Sequence, residues 1–234
     1  MKVIGLLGGM SWESSLEYYR IINETVKQRL GGLHSAKCIL YSVDFQHIET
    51  LQHEGNWDEL TKIMIESALN LEKAGADMVL ICTNTMHKMA NEVKSAIKVP
   101  LLHIADAAAK KVREKNLKKV GLLGTKYTME QDFYKGRIKE KYNIDVLIPD
   151  PDEREIVHDV IFNELCLGQV KKESRVLLEI FDLLGRKIET IVDRLHPPGD
   201  YKQKFIAGGR ASGIYIYSIK MENFRAVKKM ILIK

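Results

Sequence analysis

Apolar residues along this chain fall into short unbroken runs, separated by stretches with helical spacing. VIGLLG (3–8) is continuous and ends in glycines, the pattern of a strand buried on both faces. Ser11 can cap the helix that follows, with Glu13 in its first turn. Leu16, Tyr19, Ile22, Val26 and Leu30 keep helical spacing until Gly31-Gly32 ends it. CILYSVDF (38–45) predicts the next strand, and Asp58 opens a helix with Leu60, Met64, Ala68 and Leu71 on one face, closed by Gly75. ADMVLIC (76–82) predicts a strand and Asn84 onward a helix; PLLHI (100–104) predicts a strand and Asp106 onward a helix. Strands alternating with helices imply a parallel sheet covered on both faces.

The pattern then restarts. VGLLGT (120–125) echoes VIGLLGG (3–9), and Tyr134 follows Gly124 at the same distance as Tyr18 follows Gly8. A strand (144–148) and a helix (about 153–167, ended by Gly168) come next. Two similar α/β halves would place a site in the cleft between them. After residue 172 the texture changes. IETIV, YKQKF, GIYIYSI and KKMILI, punctuated by Gly185, Pro197-Pro198-Gly199, Gly208-Gly209 and Gly213, read as antiparallel strands with turns about every ten residues. Val176, Leu177, Ile180, Phe181 and Leu184 also fit a helical face; a strand is favoured because only strands follow. The expected organisation is an α/β region at 1–172, with a first half at 1–115 and a partial second half at 116–172, then a β-rich tail at 173–234.

Composition narrows the class. In 234 residues no apolar run reaches the roughly 18 residues of a membrane span. The N-terminus reads as a first strand and not as a signal peptide. Three cysteines, Cys38, Cys82 and Cys166, are too few and too scattered for a disulfide framework or a zinc site, so reduced thiols and a cytoplasmic location are expected. The net charge of +5 is carried by the tail: residues 176–234 hold 11 Lys/Arg against 6 Asp/Glu, leaving 25 of each sign before them. No nucleic-acid recognition motif accompanies this excess, so neither nucleic acid nor membrane is an expected partner.

The candidate chemistry lies in ICTNTMH (81–87), where a buried run ends in a thiol, two threonines, an asparagine and a histidine. The C-terminal edge of a parallel sheet is where α/β proteins bind ligands. Thr83, Asn84 and Thr85 would open a helix whose free N–H groups suit a carboxylate or phosphate. The same field would lower the Cys82 pKa and favour thiolate. An anion site beside an acid/base group suits proton abstraction next to a carboxylate. The plainer alternative is a structural Cys82 with Asn84 as an ordinary cap. GGMSWES (8–14) offers a second anion-binding turn or a simple cap at Ser11, and Thr125 and Thr128 hold the matching place in GTKYTME (124–130), Thr128 being equally readable as an N-cap. His103 reads as a hydrogen-bonded core histidine, and His87, one helical turn beyond Thr83, could tune the site.

Taken together, GLLGGMSWES, LGGLHSA (30–36), SVDF (42–45), ICTNTMHK, PLLHIADA (100–107), GLLGTKYTMEQDFY and FNELCLG (162–168) resemble the aspartate/glutamate racemase family, in particular its bacterial amino-acid racemase branch. The resemblance runs from residue 1 to about 175. It implies an α/β fold of two similar parallel-sheet units, here with the second half truncated and followed by a small antiparallel β unit. It also implies a cofactor-independent reaction on an amino-acid substrate, with one acid/base group from each half flanking the α-carbon, and it allows a homo-oligomer. Met10 and Gln52 match the family's substrate-contacting positions and would line the substrate, with Gln169 nearer the junction, while Thr83 with the Asn84-Thr85 helix start would serve one face and bind the α-carboxylate.

Two departures stand out. In most of the family a thiol directly precedes the Asn-Thr pair; here Thr83 does, and Cys82 is one residue further back. Successive strand residues face opposite ways, so Thr83 takes the catalytic place. The second thiol is missing: its expected place near residue 198 reads RLHPPGDYK, and no cysteine follows Cys166. The expectation is a racemase impaired by that loss. The alternatives are a carboxylate-binding α/β protein without turnover, and a surface- or secretion-linked protein. The last rests on VLLEIFDLLGRK and the closing KKMILIK, which make 176–234 resemble the C-terminal sorting domain of type IX secretion substrates.

Overall fold

The computed structural model describes residues 1–169, 176–181, 187–194, 213–221 and 224–232. They fall into two compact units, residues 1–120 with 127–147, and residues 121–126 with 148–234.

The first unit is built on a four-stranded parallel sheet. Its strands are β1 (Val3–Gly8), β2 (Lys37–Ser42), β3 (Met78–Ile81) and β4 (Leu101–Leu102), in the order β2-β1-β3-β4. The helices are α1 (Trp12–Leu30), α2 (Phe45–His53), α3 (Trp57–Lys73), α4 (Ala90–Ala96) and α5 (Ile104–Glu114). The fold class expected from alternating strands and helices is the one observed. α3 carries an apolar stripe that reaches the core: Leu60, Met64, Ala68 and Leu71 are fully buried, joining Leu7, Val79 and Ile81 in one core. It begins at Trp57, capped by the Asn56 side chain, which accepts from the Glu59 N–H. β5 (Lys119–Gly121), α6 (Lys126–Glu130), α7 (Asp132–Tyr142) and β6 (Asp145–Leu147) follow, with β5 beside β6; Gly121 and Lys126 belong to the second unit.

α1 corrects an expectation. Leu16, Tyr19 and Leu30 are 52%, 48% and 54% exposed, so the predicted apolar stripe does not face the sheet. The contact with β1 is made by Ser15, which is buried and whose Oγ accepts from the Gly9 N–H at 2.8 Å. A Cβ on Gly8 would collide with that hydroxyl, and one on Gly9, at φ +91°, would collide with the Val43 backbone. The paired glycines therefore let α1 and the end of β2 approach β1 closely. Ser11 occupies the N-cap position without a capping side-chain bond, contrary to expectation; its carbonyl accepts from the Ser15 hydroxyl at 3.1 Å.

The second unit contains α8 (Pro151–Asn163), a 3-10 turn (Leu165–Leu167) that carries Cys166, and Gly168 in the left-handed region. Pro151 opens α8, and the Asp150 N–H donates to Glu153 Oε2 at 3.1 Å, which closes the helix start. Lys126 pairs with Glu155 and its N–H donates to His158 Nδ1. A four-stranded antiparallel sheet follows, with β7 (Val176–Phe181), β8 (Lys187–Arg194), β9 (Gly213–Met221) and β10 (Phe224–Leu232) in the order β10-β9-β7-β8. Residues 176–181 are thus strand and not helix. The turns at 185, 197–199 and 208–209, the DLLGRK core and the position expected for the second thiol lie outside the described residues.

Candidate functional site

The sheet's two central strands set the site. β1 and β3 pair with Leu7 opposite Ile81, and the Cys82 N–H extends the ladder to the Leu7 carbonyl at 2.9 Å. Both chains leave the sheet at this edge, as Gly9-Met10-Ser11 and as Cys82-Thr83-Asn84. The Ser14 hydroxyl joins them, lying 2.9 Å from both the Ser11 and the Cys82 carbonyl oxygens. The third contributor is α2. Asp44 caps it by accepting from the Gln46 N–H at 3.3 Å, and Ile48 and Leu51 anchor it in the core. Gln52, 4% exposed, then points its Nε2 at the Met86 sulfur, 3.1 Å away.

The structure thus gathers Met10, Gln52, Thr83, Asn84 and Thr85 at one sheet edge. Met10 and Thr85 are buried, Thr83 is half-buried and Asn84 is exposed. Gln169 belongs to the other unit, where it is exposed and its N–H donates to the Glu164 carbonyl. Thr125 is also in that unit, while Thr128 lies inside α6 and is buried, not an N-cap.

Two chemical expectations are corrected. Asn84 does not open an α-helix: Thr85–Met89 is a 3-10 turn, with seven-residue α4 behind it. The dipole expected to favour anions is therefore short, and what remains is local N–H geometry. Nor is Cys82 a thiolate. It is 1% exposed, and burial pushes its pKa up to about 12. Low dielectric outweighs the weak field of one 3-10 turn.

His87 is 2% exposed, and its Nδ1 lies 2.7 Å from the Thr83 carbonyl oxygen. Its Nε2 accepts from the Ile104 N–H at 3.2 Å. Burial lowers its pKa to about 4, so the ring is neutral. His103 is buried as expected, and it is also the cap of α5, where Asp106 had been expected: its Nδ1 accepts from the Ala105 N–H at 3.2 Å. Its pKa is lowered to about 3, by burial first and then by the neighbouring His87 and Arg137. Asp106 instead takes a bidentate contact from Arg137 of α7 at 2.7 and 2.8 Å, and a third from Lys141. Tyr18 and Tyr134, aligned by the internal repeat, are close enough that Tyr134, after burial and Cys82, helps raise the Tyr18 pKa.

Sequence reasoning missed α2, Ser14 and both bonds of His87. Asp44 followed by Phe45, Ile48 and Leu51 was the available sign of α2.

The Asp/Glu/Hydantoin racemase family model matches residues 7–192. The chain belongs to that family. The match passes the boundary expected near 172 and ends within β8. A Yersinia pestis protein assigned as an Asp/Glu racemase superposes with a TM-score of 0.68 and 54% identity, over 73% of this chain and 74% of the other. An aspartate racemase homologue from Pyrococcus horikoshii OT3 gives 0.63 and 36%, over 74% and 75%. The chain is also 28% identical over 142 residues to the broad specificity amino-acid racemase RacX of Bacillus subtilis (strain 168); that alignment covers 58% of this chain and about 60% of the relative's length. Among the described residues no helix is long and apolar enough to cross a membrane.

Proposed function

We propose that the first unit binds the α-carboxylate of an acidic amino acid and exchanges its α-proton from one face, without efficient inversion and without a cofactor. One observation carries the reading: Thr83, Asn84 and Thr85 leave the central strand beside Met10 and Gln52, in a chain of the Asp/Glu/hydantoin racemase family. Asn84 and Thr85 hold the carboxylate, and Met10 and Gln52 contact the rest of the substrate. Thr83 acts on the α-carbon. Cys82, buried and protonated, supports Thr83 and is not the base. A racemase needs a second group on the opposite face. RLHPPGDYK offers no thiol there, and losing one acid or base typically costs about 10²–10⁴-fold in rate.

The test is solvent deuterium incorporation at the α-carbon of L- and D-aspartate and L- and D-glutamate, with chiral analysis of the products. Incorporation into one enantiomer with retained configuration is expected. Fast inversion of either amino acid overturns the impairment. Binding without exchange favours a carboxylate-binding protein. Thr83→Ala should abolish exchange while the fold persists.

A second reading assigns the working role to the tail. Its observation is the four-stranded antiparallel sheet at 176–232, in the region that resembles a sorting domain, after an α/β region proposed to end at 172. Mature protein on the cell surface after fractionation would favour it; recovery from the cytoplasm favours the enzyme.

A further inference from the structure

His87 is buried at the candidate site, yet the proposed chemistry gives it no step. A neutral imidazole offers one donor and one acceptor, and both are committed to backbone. The Ile104 N–H can only donate, so Nε2 is the bare nitrogen and Nδ1 carries the proton, which it gives to the Thr83 carbonyl. One tautomer thus clips the exit of β3 to the first residue of α5.

The clip has a consequence one bond further along. The Thr83–Asn84 peptide is trans, so its C=O and N–H point in opposite directions. With the carbonyl drawn to His87, the Asn84 N–H is turned the other way. It meets no protein acceptor among the described residues, and Asn84 is exposed. We infer that His87 is a positioning residue: it fixes this peptide so that the Asn84 N–H is presented to a bound carboxylate. The inference rests on the carboxylate-binding reading of Thr83–Thr85 proposed above. It does not make His87 an acid or a base, because neither ring nitrogen is free to reach substrate. Protonation would put a second N–H against that of Ile104, so the clip holds only in the neutral ring. The groups facing it are the neutral His103 ring, at 4.5 Å between centroids, and the Arg137–Asp106 pair, whose charges act on it in opposite senses.

The experiment uses the full chain with His87→Leu and His87→Gln. Leucine leaves the Thr83 carbonyl unheld. Glutamine restores an amide donor and acceptor. The readouts are calorimetric affinity for L- and D-glutamate and aspartate, and ¹⁵N NMR of the imidazole and of the Asn84 amide. The expected result is an Nδ1-protonated wild-type ring, affinity about tenfold or more weaker in His87→Leu, and recovery in His87→Gln. A purely structural histidine would lower thermal stability in both variants while leaving the affinity of the folded fraction unchanged, and that result overturns the inference. If the wild type binds none of the four ligands, the carboxylate reading fails on its own. NMR then decides for the histidine: an Asn84 amide that shifts in the leucine variant and returns in the glutamine variant supports the clip, and an Nε2-protonated ring ends it.

Discussion

The Ser14 hydroxyl lies 2.9 Å from the Cys82 carbonyl oxygen, bridging the first turn of α1 and the exit of β3 across 68 residues of sequence. One proton serves both this carbonyl and that of Ser11, so the tie is shared between them. Ser14→Ala should therefore destabilise the protein by only about 0.5–1.5 kcal/mol. Urea denaturation would show a lower midpoint with an unchanged slope. The functional effect should be larger than the stability effect suggests, because Cys82 directly precedes Thr83. α-Proton exchange should fall several-fold in a protein that is still fully folded at 25 °C.

The buried thiol predicts alkaline sensitivity. Cys82 titrates at about 12 in the folded chain against an ordinary 9.0, because burial disfavours the thiolate. Between those values the unfolded chain has lost a proton that the folded chain keeps. Stability from this group is therefore fully present below pH 9 and declines as pH rises towards 12, at about 1.4 kcal/mol per pH unit. Tyr18, raised chiefly by burial, acts in the same direction from its ordinary 10.0 upward. Cys82→Ala should reduce the slope between pH 9 and 10, before Tyr18 contributes, leaving the part due to Cys38, whose pKa burial also raises, while lowering stability at pH 7 through lost packing. At pH 8 Cys82 should resist a thiol reagent until the chain unfolds.

The elements most legible in the sequence were those whose partners are local or generic. α3 was readable because Leu60, Met64, Ala68 and Leu71 all face one core, and β1 because a strand buried on both faces needs no alternation. α1 was misread for the opposite reason. Its apolar spacing was real, but Gly8 and Ser15 bring the helix backbone close to β1, and Leu16 and Tyr19 stay in solvent. The site followed the same division. ICTNTMH marks a strand end in one dimension, whereas the depth of Cys82 and the two partners of His87 depend on residues distant in sequence or on the exact turn type. Asn84 looked like a helix start because 3-10 and α turns share their opening residues, and spacing alone does not separate them.

Acid should weaken the first unit in two steps. His87 and His103 titrate at about 4 and about 3 when folded, against an ordinary 6.5, because burial opposes their charge. Below pH 6.5 the unfolded chain takes up protons that the folded chain refuses, so stability is lost as pH falls through this window. Asp106 acts later. Arg137 and then Lys141 hold its carboxyl well below the usual carboxylate range, so its contribution is present above about pH 4 and is lost below it. Urea midpoints from pH 7 to pH 3 should show both steps. His87→Gln should shrink the first, and Asp106→Asn only the second. At pH 7, Asp106→Asn should cost about 1–3 kcal/mol, since a charge-assisted bidentate contact between α5 and α7 is lost.

Gln52 separates stability from binding most sharply. Its Nε2 is spent on the Met86 sulfur, a weak acceptor, and its Oε1 is buried with no hydrogen-bond partner. A buried acceptor left unmade costs about 1–3 kcal/mol, and a well-packed protein interior rarely keeps one without use. In the proposed site that oxygen accepts from the ammonium group of a bound amino acid, which would satisfy the carbonyl and the ligand together. Gln52→Met keeps the length of the side chain and its contact with Met86 while removing the unsatisfied oxygen. The ligand-free variant should therefore be as stable as the wild type or more stable, by up to about 1 kcal/mol, in a thermal or urea titration. Affinity for acidic amino acids should fall by about tenfold or more over the same comparison. Equal losses in both would mean that Gln52 is an ordinary packing residue. A loss of stability with affinity intact would remove it from the site altogether.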